Sequence, residues 1–180
     1  MKAQHLDTGS SLGRQTSEFT AIGIIRSPYA EPEGVPVQGV FADGAAGTVE
    51  VFPEFAAGLA DLDGFSHIIL LYCFHRSQGY ALTCRPFLDD CDRGIFATRA
   101  PRRPNPIGMS IVRLLGVEGC VLRIADVDIV DGTPLLDIKP YVPDFDVRTG
   151  VSTGWYATAG NRQQTVADAR FTDNDAKETT

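Results

Sequence analysis

The chain has 180 residues, 43% hydrophobic and 22% charged, which suits one globular domain and excludes a wholly disordered chain. A formal net charge of −7 excludes a protein that coats nucleic acid with its whole surface, because phosphate contacts need positive charge, yet it allows a local basic patch. No apolar run reaches the ~18 residues of a membrane-spanning helix, and no basic-then-apolar leader opens the chain, so a cytoplasmic location with no membrane partner is expected.

Residues 1–17 are polar and mixed, and so are residues 159–180. Both read as tails with too little apolar surface to offset the entropy of ordering them. The single folded domain is therefore expected over 18–158. Within it the first strand is expected at 19–26 (FTAIGIIR), closed by Ser27 and Pro28. The segment 47–52 (GTVEVF) alternates and stops at Pro53. Residues 54–61 form the best helix candidate, and it is short. The segment 67–75 (HIILLYCFH) is apolar on both faces and predicts a buried central strand. Strands are further expected at 94–98, 110–117, 120–130 and 135–141, with a hairpin turn at Glu118 and Gly119. Strands do not alternate with long amphipathic helices. The pattern argues for a mainly β fold, a small barrel or closed sheet with few short helices.

Several chemistries are excluded. No two glycines are separated by a single residue, so the dinucleotide-binding turn is missing. Gly39 and Gly44 have the spacing of a phosphate-binding loop, but Ala45 stands where the lysine is needed. Neither GxSxG nor HExxH occurs. Cys73, Cys84, Cys91 and Cys120 form no CxxC pair, and reduced, partly buried thiols are expected. His67 and His75 sit eight residues apart in one expected strand, hence ~26 Å at ~3.3 Å per residue, too far to share a metal ion. No metal is expected.

Two segments stand out. Between Arg93 and Val117 lie Arg93, Arg99, Arg102, Arg103 and Arg113 and no acid. Pro101, Pro104 and Pro106 make the arginine-rich piece a stiff loop, which suits an anionic ligand; the alternative is a solvated loop paired with surface carboxylates. In 126–141 (DVDIVDGTPLLDIKPY), Asp126 and Asp128 alternate on one expected strand face, and Asp131 with Gly132 signals a turn. These carboxylates suit acid–base work or a metal; the alternative is that Asp131 caps its own turn while Asp126 and Asp128 face solvent or arginine.

Taken in order, AIGIIRSPY (21–29), VPVQG (35–39), GLADLDGFSHIILLYCFH (58–75), GIFATRAPRRPNPIGMSIVRL (94–114) and DIVDGTPLLDIKPYVP (128–143) resemble the TsaA/TrmO family of S-adenosylmethionine-dependent tRNA methyltransferases. The resemblance covers about 21–146, and its two long motifs, ATRxPxRPNPIG and DxVDGTPxxDIKPY, are specific. It implies a small β-barrel methyltransferase fold and a homodimer with the cofactor near the subunit interface. The expected reaction is methylation at N6 of N6-threonylcarbamoyladenosine, the modified base beside the tRNA anticodon. Carried over by motif, the S-adenosyl-L-methionine contacts are Gly39, Val40 and Phe41, then His75 and Arg76, then Arg99, then Met109 and Ser110, and finally Val130, Asp131, Gly132 and Thr133. Arg99 or Arg76 suits the cofactor carboxylate, and the turn at 130–133 suits the adenine edge. Asp131 is the candidate to take the N6 proton or orient the acceptor. Arg93, Arg102 and Arg103 are candidates for tRNA phosphates. Apolar strand surface around residues 111–115 suits a subunit interface.

Two other readings stay open. One keeps the cofactor but changes the acceptor to a small molecule or another RNA, as the acidic balance and unmatched C-terminus allow. The other is a non-enzymatic dimeric barrel that binds an anion through the arginine loop.

Overall fold

The computed structural model describes residues 16–159, 165–168 and 171. Among these, the strands in chain order are β1 (Gly23–Arg26), β2 (Ala46–Val51), β3 (His67–Cys73), β4 (Thr83–Cys84), β5 (Arg93–Gly94), β6 (Ile107–Glu118), β7 (Val121–Ala125) and β8 (Thr133–Pro140). Six of them close into a barrel in the order β1-β2-β7-β6-β3-β8, and all the pairings are antiparallel. β4 and β5 form a separate two-stranded ribbon. The mainly β barrel expected from the sequence is thus the observed fold.

Alternation drives this closure. Ile25, Val49, Val51, Ile68, Leu70, Tyr72, Val112, Leu122, Ile124 and Leu135 point inward and form one buried cluster. Each such aliphatic side chain contributes roughly 1.5–3 kcal/mol on burial. Closing the sheet leaves no barrel strand with an unpaired edge. Gly108 on β6 lies opposite Tyr72 on β3. A Cβ there would stand 2.2 Å from the Tyr72 ring, so only glycine lets that ring lie across β6. The PNPIG run therefore ends in glycine for a packing reason.

Several boundaries differ from expectation. β1 is shorter than 19–26, although Ile22 still bonds to Leu135 and Phe52 through its backbone. Residues 95–97 form a 3-10 turn rather than a strand, flanked by the short β5. The helix candidate at 54–61 is a 3-10 helix, Pro53–Leu59. β7 ends at Ala125 instead of running to 130, because Asp126 adopts a left-handed conformation at φ 66°. The expected hairpin joins β6 to β7, with Gly119 at φ 60°. β3 buries one face only; Ile69, Leu71 and Cys73 on the other are partly covered, since a barrel strand turns one face outward. It ends at Cys73, which leaves His75 in the following turn rather than in the strand. The four cysteines are free thiols, and Cys91 is exposed.

Most of the expected N-terminal tail lies outside the described residues, and Thr16 and Ser17 are exposed. The expected C-terminal tail is not wholly apart from the fold. The backbone of Ala167 makes two hydrogen bonds of 2.8 Å, one with Gly34 and one with Val35, and the Phe171 ring meets Phe87 edge-on at 5.1 Å. Backbone bonds and an aromatic contact thus tie part of this polar segment to the fold.

Candidate functional site

A cavity of about 800 Å³ opens at the barrel end where β3 finishes and β6 and β8 begin. Small-molecule sites occupy ~300–1,000 Å³. One wall comes from the barrel: Tyr72 of β3, Gly108 and Met109 of β6, and the turn that leads into β8. The facing wall comes from the arginine-rich loop and the C-terminal segment, including Phe96, Arg99, Arg103, Trp155 and Phe171. The two long motifs, separated in sequence, thus share one cavity.

The barrel wall carries two directed hydrogen-bond chains. Ser110 Oγ donates to Asp128 Oδ1 at 2.6 Å. Its only proton is then used, so the Tyr72 hydroxyl donates to Ser110 Oγ at 3.1 Å. Asp128 also accepts from the Gly39 backbone amide. Part of Asp128 faces the cavity, while protein surrounds its other sides. That loss of water raises its carboxyl above the ordinary 3.8, and the Ser110 and Gly39 bonds and the Arg99 charge oppose the rise. Gly39 is needed for the close approach: a Cβ there would lie 2.7 Å from the Asp126 carbonyl oxygen.

In the second chain, Thr133 Oγ1 donates to the Val130 carbonyl at 2.7 Å. The 3.3 Å contact between Thr133 Oγ1 and His75 Nδ1 therefore has His75 as donor. This places the ring proton on Nδ1 and leaves a lone pair on Nε2. Desolvation, then the Arg76 charge, lower the His75 pKa from 6.5 against the opposing pull of Asp131. The shift favours the neutral ring.

The expected cofactor residues divide. Val40, Phe41, His75, Arg76, Arg99, Met109, Val130 and Thr133 line the cavity. Gly39 and Ser110 act from behind it through Asp128. Asp131 and Gly132 shape the turn without lining the cavity. Asp131 Oδ1 accepts from the Ser27 backbone amide at 3.0 Å, and its other oxygen lies 3.8 Å from Arg26. Arg26 in turn bonds Glu50. The candidate catalytic carboxylate is thus held by the end of β1, whereas Asp128 lines the cavity. Nor do Asp126 and Asp128 share a face: Asp126 bonds Arg113 at 2.6 Å and the Gly44 amide at 3.0 Å.

The arginines are less free than the sequence suggests. Arg93 pairs with Asp89 at 2.6 Å, which lowers the Asp89 carboxyl mainly through that hydrogen bond. Arg103 Nη1 donates to the carbonyls of Ile95, Thr98 and Ala100, and so ties the loop together. Arg99 donates to Gln38 Oε1. Arg102 lies off the cavity, with a buried Nε that has no hydrogen-bond partner among the described residues. Among those residues, Arg99, Arg102 and Arg103 make no ion pair within 4 Å.

Asp128 was an acid–base candidate by residue type but not among the carried-over cofactor contacts, and Tyr72, Gln38 and the aromatic wall were not among the expected site residues. For Asp128 a signal existed: it is a single acid between Val127 and Ile129, both of which are buried. Trp155 and Phe171 carry no such signal, because only the chain's return path brings them to the cavity.

Residues 24–147 match the family model described as the tRNA-methyltransferase O N-terminal domain. A Pyrococcus abyssi protein named a probable S-adenosyl-L-methionine-binding protein is 59% identical over 76% of this chain and 74% of its own length. The Escherichia coli protein named tRNA (adenine(37)-N6)-methyltransferase is 36% identical over 83% of this chain and 68% of its own. A crystal structure of TrmO from Pseudomonas aeruginosa superposes with a TM-score of 0.67 at 40% identity, over 78% of this chain and 63% of that one. This chain therefore spans a little under two thirds of that crystallised protein. With the matched barrel, the two motifs and the shared cavity in place, the chain belongs to the tRNA-methyltransferase O N-terminal domain family.

Proposed function

We propose that this chain is an S-adenosylmethionine-dependent tRNA methyltransferase that adds a methyl group to N6 of an adenosine next to the anticodon, with N6-threonylcarbamoyladenosine as its acceptor. Family membership and the names of its relatives support this reading. The single observation that carries it is the convergence of both motifs on one cavity that combines Asp128, Arg99 and His75. When bound, S-adenosylmethionine supplies an electrophilic methyl on a sulfonium. The residues fit such a molecule: Arg99 would hold its carboxylate, with Arg76, 3.8 Å from Glu31, lining the same cavity, while Gln38 and the backbone at 128–130 offer polar partners and Val40 and Phe41 offer apolar surface.

The work left to the protein is positioning and proton removal. An N6 conjugated to a carbamoyl group is a weak nucleophile, and losing its proton strengthens it. Asp128 is assigned to accept that proton, since a raised carboxyl is a stronger base than an ordinary one. Ser110 and Tyr72 hold it in place. Asp131 is assigned to fix the 130–133 turn against β1. Arg102 and Arg103 are assigned to tRNA phosphates, whereas the Arg93 charge is already matched by Asp89.

The reading includes a homodimer. Ile107, Met109, Ile111 and Leu115 of β6 turn outward and are 40–49% exposed, beside Ile69 and Leu71 of β3.

The test is transfer of labelled methyl from S-adenosylmethionine to tRNA, with the product nucleoside identified by mass spectrometry. Asp128→Asn is expected to slow transfer about 10²- to 10⁴-fold while cofactor binding persists. Product on a different nucleoside would replace the acceptor. A wild type that fails to bind the cofactor by calorimetry would leave only an anion-binding barrel.

A further inference from the structure

We infer that the cavity wall formed by Phe96 and Trp155 is the acceptor subsite, a stacking surface for the extruded nucleobase. This rests on the methyltransferase reading above. A transfer between two molecules needs two adjoining binding surfaces, and the two walls of this cavity differ in chemistry. The barrel wall is a set of hydrogen-bonding groups suited to a charged, polar cofactor. Apart from Arg99, which is assigned to the cofactor, and Arg103, the facing wall presents the rings of Phe96 and Trp155. Phe96 leaves 75% of its surface exposed, on the 3-10 turn Ile95–Ala97. The Trp155 indole N–H donates to the Ala97 carbonyl at 2.8 Å, which ties the two rings to one turn.

Each ring also has a guanidinium beside it. Arg103 lies 5.9 Å from the Phe96 centroid, and Arg93 lies 5.8 Å from that of Trp155. Aromatic faces with arginine alongside are what single-stranded nucleic acid uses for stacking and charge, because every base has a π face. A base whose exocyclic nitrogen is to be modified leaves its stack and enters a pocket, and it gains a replacement stacking partner there.

This wall is built into the fold. The backbone bonds of Ala167 to Gly34 and Val35 anchor the C-terminal segment beside the loop that carries Gln38. Phe171 closes on Phe87. The family match ends at residue 147, so Trp155 and Phe171 lie beyond the shared barrel. The acceptor side of the site is accordingly built in part from residues outside the family's matched region.

Trp155 is the single tryptophan in the sequence, so its emission reports this wall alone. The experiment titrates an anticodon stem-loop RNA carrying N6-threonylcarbamoyladenosine into protein saturated with S-adenosylhomocysteine. Emission is read for the wild type, Phe96→Ala and Phe96→Tyr, and cofactor affinity is measured separately by calorimetry. The expected result is quenching in the wild type, a roughly tenfold or greater loss of RNA affinity in Phe96→Ala, and recovery in Phe96→Tyr. Cofactor affinity should stay within about twofold throughout. Absence of quenching, or unchanged RNA affinity in Phe96→Ala, overturns the subsite while leaving the methyltransferase reading intact if cofactor still binds. A parallel loss of cofactor affinity in Phe96→Ala assigns the ring to the cofactor and also overturns it. A wild type that binds no cofactor removes the methyltransferase reading and the subsite together.

Discussion

Asp128 shows how one side chain can cost stability and serve chemistry at once. Its carboxyl is raised by desolvation, so the folded state binds its proton more tightly than the unfolded chain does. Stability from this group is therefore present below the ordinary carboxylate value of 3.8 and is lost as pH rises through the higher folded value. At neutral pH the ionised form is a net cost. Asp128→Asn keeps an oxygen to accept from Ser110 and removes the buried charge. The variant is expected to melt higher than wild type at pH 7, by about 2–4 °C for each kcal/mol relieved, and the gain should shrink as pH falls toward 4. Calorimetric melts across that range check it; an unchanged or lower Tm at pH 7 would refute the assignment. By residue type and spacing Asp126, Asp128 and Asp131 all suit acid–base work, and only the resemblance favoured Asp131. Residue type and spacing cannot rank them, because the difference lies in what surrounds each one: Arg113, Ser110 and the Ser27 amide respectively.

Among the elements, the turn between β7 and β8 matters most. Asp126 leaves the strand in a left-handed conformation, and Gly132 at φ 74° completes the turn. Asp131 fastens that turn to Ser27 at the end of β1, reinforced by the Gly132 amide donating to the Ile25 carbonyl at 2.9 Å. Asp131→Asn is expected to lower stability by about 0.5–1.5 kcal/mol through the altered Ser27 and Arg26 contacts, with methyl transfer close to wild type. Denaturant melts and the transfer assay run on one preparation decide it. Lost transfer at unchanged stability would return Asp131 to the chemistry. The arginine-rich loop follows a similar rule. Its prolines made it legible as stiff, but Arg103 holds three loop carbonyls, a use of an arginine that no spacing reveals.

For the whole molecule, the barrel leaves an apolar stripe on the outside of β3 and β6. Covering that stripe with a second copy is part of the proposed reading. Ile111→Glu places a charge at its middle without touching the buried cluster. The expected outcome is a monomer by size-exclusion chromatography with light scattering, where wild type is a dimer. A wild type that is already monomeric at micromolar concentration would refute the dimer.

Period-two alternation, turn residues and the missing long helices determined the β-barrel class, because burial on one face of a closed sheet leaves a local imprint on sequence. The motifs determined the family, and both lie at strand ends that meet at the cavity. The tertiary structure alone decided which of Asp126, Asp128 and Asp131 lines the cavity, which arginines pair with acids among the described residues, and how the C-terminal segment supplies an aromatic wall. Those outcomes depend on partners such as Ser110, Asp89 and Ala97, distant in the chain or set by the path it takes. Local pattern records only whether a side chain faces in or out. What it meets there is settled by packing.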